Sequence, residues 1–178
     1  MKEFIYQLFA DYRTQIVFLH VISAVVWVGG MIAMRFAAHN SFLEIESPLH
    51  RLARVSHALK RLFAIVAPFV VLLIITAVLM AVGLGFREAA VDASGNVIDA
   101  SAMSLYQLIH VKEAIWLIMA ANLALMAFLR AKADKLLTKG DTMGAKSSLG
   151  LIGKYMVPLN IVLGIVAIYL GVTLRNSY

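Results

Sequence analysis

Four stretches of this chain are apolar for long enough to cross a bilayer, and nothing else in the sequence restricts the fold so severely. They are residues 14–38, 62–85, 104–129 and 154–174. About 20 apolar residues suffice for a helix to span the hydrocarbon. In lipid every backbone polar group must be bonded within the protein, so only helices and closed barrels cross. The runs are continuous and do not alternate, which selects helices. Composition agrees: 62% of the residues are hydrophobic and 15% charged, against roughly 45–50% and 25% in soluble domains. The predicted fold is all-α, an integral membrane four-helix antiparallel bundle forming one transmembrane domain over residues 1–178.

The segments between the spans carry their own signals. Residues 1–13 place Phe4, Ile5, Leu8 and Phe9 on one helical face, which predicts a short interfacial helix. Their scattered charges and the long apolar run that follows do not read as a signal peptide. Ser47-Pro48 is a helix start with Pro at the first position, and a basic amphipathic segment from Arg51 to Arg61 runs into the second span. Asp92, Gly95 and Asn96 mark a turn, with a small hairpin in the polar 86–103 loop. Pro68 is placed to kink the second span. Tyr106 and Tyr178 are expected as interface anchors. Eleven of the 16 Lys and Arg residues fall in 35–61 and 130–154, four lie on the opposite side, and Lys112 lies inside a span. The positive-inside rule then predicts an inner (cell) membrane protein of bacterial type with both termini non-cytoplasmic.

The chain has no cysteine, which excludes disulfides, thiolate metal sites and iron–sulfur clusters held by its own residues. Its net charge of +6 sits beside membrane spans, so membrane lipid is the expected partner and nucleic acid is not. The first span contains one ionisable group, His20. It lies about 9 Å from Thr14 by helical rise, and an ionisable residue at such a depth is a functional candidate. Ser23, Trp27 and Gly30 share its face. The plainer reading is an interhelical hydrogen bond beside a seam of small residues. His110 lies six residues past Ser104, as His20 lies six past Thr14, so the two imidazoles reach similar depth in the same leaflet. Paired histidines in a bundle are an arrangement that holds a b-type heme (heme b).

On the third span, His110, Glu113, Ala114, Leu117, Ala121 and Ala124 form a stripe whose small residues predict a bundle-facing surface. Lys112 is about 200° away, with Leu105, Ile109, Trp116, Met119 and Leu123, where a lysine can snorkel to the interface. Glu113 is then a candidate to orient an imidazole, pair with Arg13 or Arg87, or pass a proton. His39, His50 and His57 lie on the other side of the membrane. His50, Arg54, His57 and Arg61 share a face, read as a solvated basic surface near anionic lipid; His57, adjoining the second span, is the one with a metal-ligand alternative. The nine methionines suit Cu(I), but filling apolar space explains their scatter more simply.

The segment LHVISAVVWVGGM followed by MRFAAH, carrying His20, Trp27, Gly30, Arg35 and His39, resembles the first helix of the HemJ-type membrane protoporphyrinogen oxidases and the wider group with CopD-like proteins. IHVKEAIWLIMAANLALMAFLRAK is similar to that family's His-x-Lys helix, with His110 and Lys112 in register. Pro68 and VPLN at 157–160 match more loosely. The resemblance implies about four helices, bound heme b, a redox task in porphyrin biosynthesis, and His20 and Lys112 as essential positions. Periodicity favours His110 as the second ligand and the resemblance brings in Lys112; both stand as candidates. Arg35 is the candidate partner for porphyrinogen carboxylates. The functional expectation is a heme-dependent oxidase acting on a porphyrinogen. The alternatives are a small cytochrome b exchanging electrons with quinone, a copper-handling protein, or a non-redox accessory subunit in a homo-oligomer or membrane complex.

Overall fold

A computed structural model describes residues 2–176. Tyr178, expected as an interface anchor, lies outside the described residues. Four helices are long and apolar enough to cross a membrane: α1 (Lys2–Leu43), α2 (Pro48–Gly83), α4 (Ala100–Thr138) and α5 (Thr142–Arg175). A short helix, α3 (Phe86–Ala90), follows α2. Each long helix packs against the next, and α5 closes back on α1. The result is an all-α four-helix bundle of a multi-pass membrane protein. Both termini and the 84–99 connection lie at one end, called here the terminal end. The two tight connections, 44–47 and 139–141, lie at the basic end.

These helices exceed the predicted spans. The 36 residues of α2 make about 54 Å of helix at 1.5 Å per residue, against a hydrocarbon core of about 30 Å. The excess is the basic amphipathic segment, predicted to begin at Ser47-Pro48 and to run into the second span. It continues into the span because Ser47 caps it, accepting from His50 N, with Pro48 in the first turn, and no breaker follows before Pro68. The third span likewise extends to Thr138, so most of 130–153, expected as a loop, is helix. Residues 2–13 are continuous with the first span. Their separateness survives only as a break at Tyr12, whose φ of −121° and ψ of 26° leave the helical region.

The connections use short polar devices. The Arg51 guanidinium donates twice to the Ile45 carbonyl, closing the 44–47 turn. Asp141 accepts from Gly144 N at 2.8 Å and starts the final helix. In the 86–103 loop, Asp92 Oδ1 accepts from Ser94 N and Asn96 N, and an isolated antiparallel bridge joins Val91 to Val97, the small hairpin the turn signal predicted. Asp99 Oδ1 accepts from Ser101 N and Ala102 N and caps α4.

One buried cluster fills the bundle from the basic end to about its middle, through Trp27, Met31, Val66, Ile115, Met126 and Ile152 among others. Close approach there needs glycine. A Cβ on Gly164 would run into Val28, with Met119 at 3.4 Å. Polar side chains also cross between helices. Asn122 Nδ2 donates to Met156 O and to Asn160 Oδ1, both at 2.8 Å, and Asn160 Nδ2 donates to Met119 O at 3.4 Å. Nearer the basic end, Ser56 donates to Asp134, which also accepts from Arg130.

Candidate functional site

Toward the terminal end the packing changes. On α4 no described residue before Ile115 is fully buried. On α5, between Gly164 and Leu174, none is. The helices run antiparallel, and their contacts fix which residues share a level. Phe9 lies against Gly83, Val28 against Gly164, and the Trp116 indole donates to Val70 O. On that register His20, Thr76, Lys112 and Gly171 come from four different helices to one level, just beyond the apolar cluster.

His20 is half-buried, and its Nδ1 lies 3.0 Å from Thr76 Oγ1. Thr76 is buried and its hydroxyl points back to its own helix, 2.7 Å from Leu72 O and 3.0 Å from Leu73 O. A hydroxyl has one proton to give. With that proton donated to a carbonyl, Oγ1 accepts from His20, so Nδ1 carries the imidazole proton and Nε2 keeps its lone pair. This is the interhelical hydrogen bond of the plainer sequence reading. It is also how metal-ligating histidines are oriented, by a bond on the nitrogen that does not bind the metal. Ser23, buried one turn on, donates to Leu19 O at 2.6 Å and adds little bulk beside the ring.

Lys112 reaches the same region. Its Nζ lies 3.1 Å from where a Cβ on Gly171 would stand, and it is within electrostatic range of His20. The side chain therefore crosses the bare backbone of α5. This reverses the faces assigned to α4 from periodicity. Lys112 precedes Ile115, Met119, Leu123 and Met126 on the buried stripe. The alanine stripe faces outward: Leu117 is 62% exposed, and Ala114, Ala121 and Ala124 are exposed. The physical reason is volume. Methionine, leucine and tryptophan fill the interior, while alanine packs lipid as readily as it packs a helix. A small residue marks an interface where a neighbouring side chain packs onto its backbone, as Val28 does at Gly164.

His110 accordingly points out of the core. Its side chain is 55% exposed, with Nδ1 3.0 Å from Glu113 Oε2, and its ring meets Tyr106 edge-on at 4.6 Å between centroids. Of the partners considered for Glu113, the imidazole is the one it takes. His20 and His110 share a level but do not face each other. Arg35 is not brought to this level. It lies about 22 Å further along α1 by helical rise, in the π-helical turn Met34–Ala38, its guanidinium 5.9 Å from the Phe36 ring centre. His39, His50 and His57 are exposed near the basic end, and His50, Arg54, His57 and Arg61 form the exposed basic face expected of them. Among the described residues no group of three or more His, Cys, Asp or Glu side chains could hold a metal ion.

Two participants had weak signals in the sequence. Thr76 is a lone hydroxyl in an apolar run, and Gly171 is one of several glycines in the last helix. A third observation is the Trp27 indole N–H, buried with no hydrogen-bond partner, on the His20 face of α1. Comparison with protein-family models, with curated proteins and with solved structures yields no match for this chain.

Proposed function

We propose that this chain is a heme-dependent membrane redox protein that would hold a b-type heme at the terminal end of the bundle through His20 and Lys112. The observation that carries the reading is the contact of His20 Nδ1 with Thr76 Oγ1 at 3.0 Å, from which the tautomer is assigned. Thr76 occupies Nδ1, and the remaining lone pair on Nε2 lies at the level Lys112 reaches. The donor set fits the group. A neutral imidazole is an ordinary heme ligand, a lysine amine binds iron once deprotonated, and an ammonium can hold a carboxylate. Gly171 keeps a side chain out of the Lys112 path. No described residue of α4 before Ile115 is fully buried, and the Trp27 N–H, buried within the apolar cluster, has no hydrogen-bond partner. When bound, the heme supplies one-electron chemistry.

The protein's own residues have separate tasks in this reading. Thr76 fixes the imidazole plane. Lys112 either completes the ligand set or neutralises a carboxylate. Placing a lysine within the bilayer costs on the order of 2.5–3.5 kcal/mol, and such a partner offsets that cost. His110 leaves the ligand set, since its ring faces outward and is held by Glu113. The finer reading is oxidation of a porphyrinogen, as the HemJ-type resemblance implies. It is supported by the convergence of His20 and Lys112, the two positions that resemblance singles out. Arg35 lies too far along α1 to serve a substrate at this level. The Lys and Arg distribution supports an inner-membrane setting with the terminal end outside the cytoplasm.

The test is spectroscopic. Protein purified from cells supplied with heme precursor should show a Soret band. His20→Ala should lose it, Lys112→Met should shift it, and His110→Ala should leave it in place. A wild-type protein without the band, or a His20→Ala protein that keeps it, overturns the heme reading. Failure of the wild-type gene to restore heme synthesis in cells lacking protoporphyrinogen oxidase overturns the porphyrinogen reading alone.

A further inference from the structure

His110 and Glu113 are displaced from the core but not idle. They line a cleft of about 190 Å³ between α2 and α4 at the terminal end, with Tyr106 beside them and Val78 on the facing helix. Arg87 and the Lys2–Glu88 ion pair, 3.0 Å long, stand over its mouth. Val78 also belongs to a second, shallow groove of about 280 Å³ lined by Ile74, Ile75 and Leu79. The two meet at Val78. Ile75 is half exposed and Val78 nearly so, so the apolar groove opens sideways, toward lipid in a membrane.

The geometry points to a binding site for the head group of an isoprenoid quinone or quinol, with the head against the His110–Glu113 pair and the tail along the α2 groove. Three features select that chemistry. First, the site is apolar with a few convergent polar groups, as small-molecule sites are. Second, its formal charges balance: Lys2 and Arg87 against Glu88 and Glu113, with His110 neutral. A balanced site favours a neutral hydrogen-bonding head over a phosphate or a polycarboxylate, which the Glu113 carboxylate repels. Third, the edge-on Tyr106–His110 pair gives one wall of the slot an aromatic surface, which suits a flat ring. Glu113 and His110 Nε2 supply acceptors for quinol hydroxyls. The site stands on the outer face of α4, so it does not depend on the heme reading.

The experiment uses the full chain as purified, in nanodiscs of neutral phosphatidylcholine, with a short-chain azido-ubiquinone as photoaffinity probe. Saturable labelling of α2 and α4 peptides is expected, competed by unlabelled ubiquinone. Glu113→Gln should weaken binding about tenfold, the loss expected of one charge-assisted hydrogen bond. Val78→Trp, which plugs the junction of the two cavities, should abolish it, and Ile75→Trp serves if that variant fails to fold. Labelling that does not saturate, that spreads over all four helices, or that is unchanged in both variants overturns the proposal. So does displacement of the probe by phosphatidylglycerol at equal concentration, which would make the cleft a lipid-headgroup site. Because the readout is labelling, a protein without heme still gives an answer.

Discussion

Toward the basic end the four helices meet through Met31, Val66, Met126 and Ile152, none with any exposed surface. At the level of His20 they meet through a histidine, a threonine, a lysine and a glycine. In lipid there is little hydrophobic force between helices, so close packing and interhelical hydrogen bonds must hold them. The first half has both: the methionine-rich core, the Asn122–Asn160 network, and Ser56 with Asp134 and Arg130. The second half has the His20–Thr76 hydrogen bond near the axis. The contrast teaches where each job resides. The packed half carries most of the contacts that set the register of the bundle, Phe9 against Gly83 adds one at the far end, and the level of His20 between them can hold polar groups.

The largest expected effect compares two glycines of α5. Gly164→Leu should destabilise the bundle by about 1–3 kcal/mol or more, the range for overpacking a filled interior, because Val28 already occupies the space. Gly171→Ala meets only the mobile tip of Lys112 and should change stability by less than about 0.5 kcal/mol, while shifting the spectrum of a bound heme. Thermal unfolding in detergent with circular dichroism checks both. Equal losses of stability would break the division into a packed and a loose half.

A smaller effect is expected within the packed half. Asn160→Leu keeps the volume but takes the acceptor from Asn122 Nδ2 and the donor from Met119 O. Hydrogen bonds between membrane helices are worth about 0.6 kcal/mol on average and up to about 1.7, so a loss in that interval is expected by the same unfolding assay. If Asn160→Leu is more stable than wild type, the asparagine pair is not part of what fixes the register.

The long apolar runs made the helix number and the all-α bundle legible, because lipid leaves the backbone no other choice. His20 was legible for the same reason: one ionisable side chain in an apolar span stands out. The faces of α4 were not. Periodicity shows which residues share a stripe but not which stripe meets the protein, and in a membrane helix both stripes are apolar. The alanines beside His110 looked like a packing seam and face outward; Lys112 looked like a snorkelling residue and lies on the buried stripe. Gly171 opposite Lys112 and Thr76 opposite His20 depend on helix-to-helix register, set by contacts such as Val28 on Gly164 that no single span displays. Residues 130–153 were read as a loop because charge was taken as the end of structure, when it marks only the end of the lipid.

The smallest effect belongs to the clamp over the loose half. Lys2 Nζ donates to Glu88 Oε1 and ties the start of α1 to α3. That hydrogen bond, foremost, holds the Glu88 carboxyl below its ordinary value, against a smaller opposing desolvation. The sign follows from linkage. A carboxyl whose value is lowered on folding contributes stability above its unfolded value and loses it as the pH falls through the folded one. Both side chains are well exposed, 65% and 43%, so screening limits the pair to about 0–1 kcal/mol. Lys2→Gln should therefore cost a few tenths of a kcal/mol near neutral pH. The difference from wild type should disappear as the pH falls through the lowered Glu88 value, and shrink in high salt. A loss well above 1 kcal/mol, or one that persists in acid, would mean that the terminal half is fastened as firmly as the basic half. The cleft beneath the clamp would then be a rigid element of the fold, and the case for a half left loose for ligands would fail at its mouth.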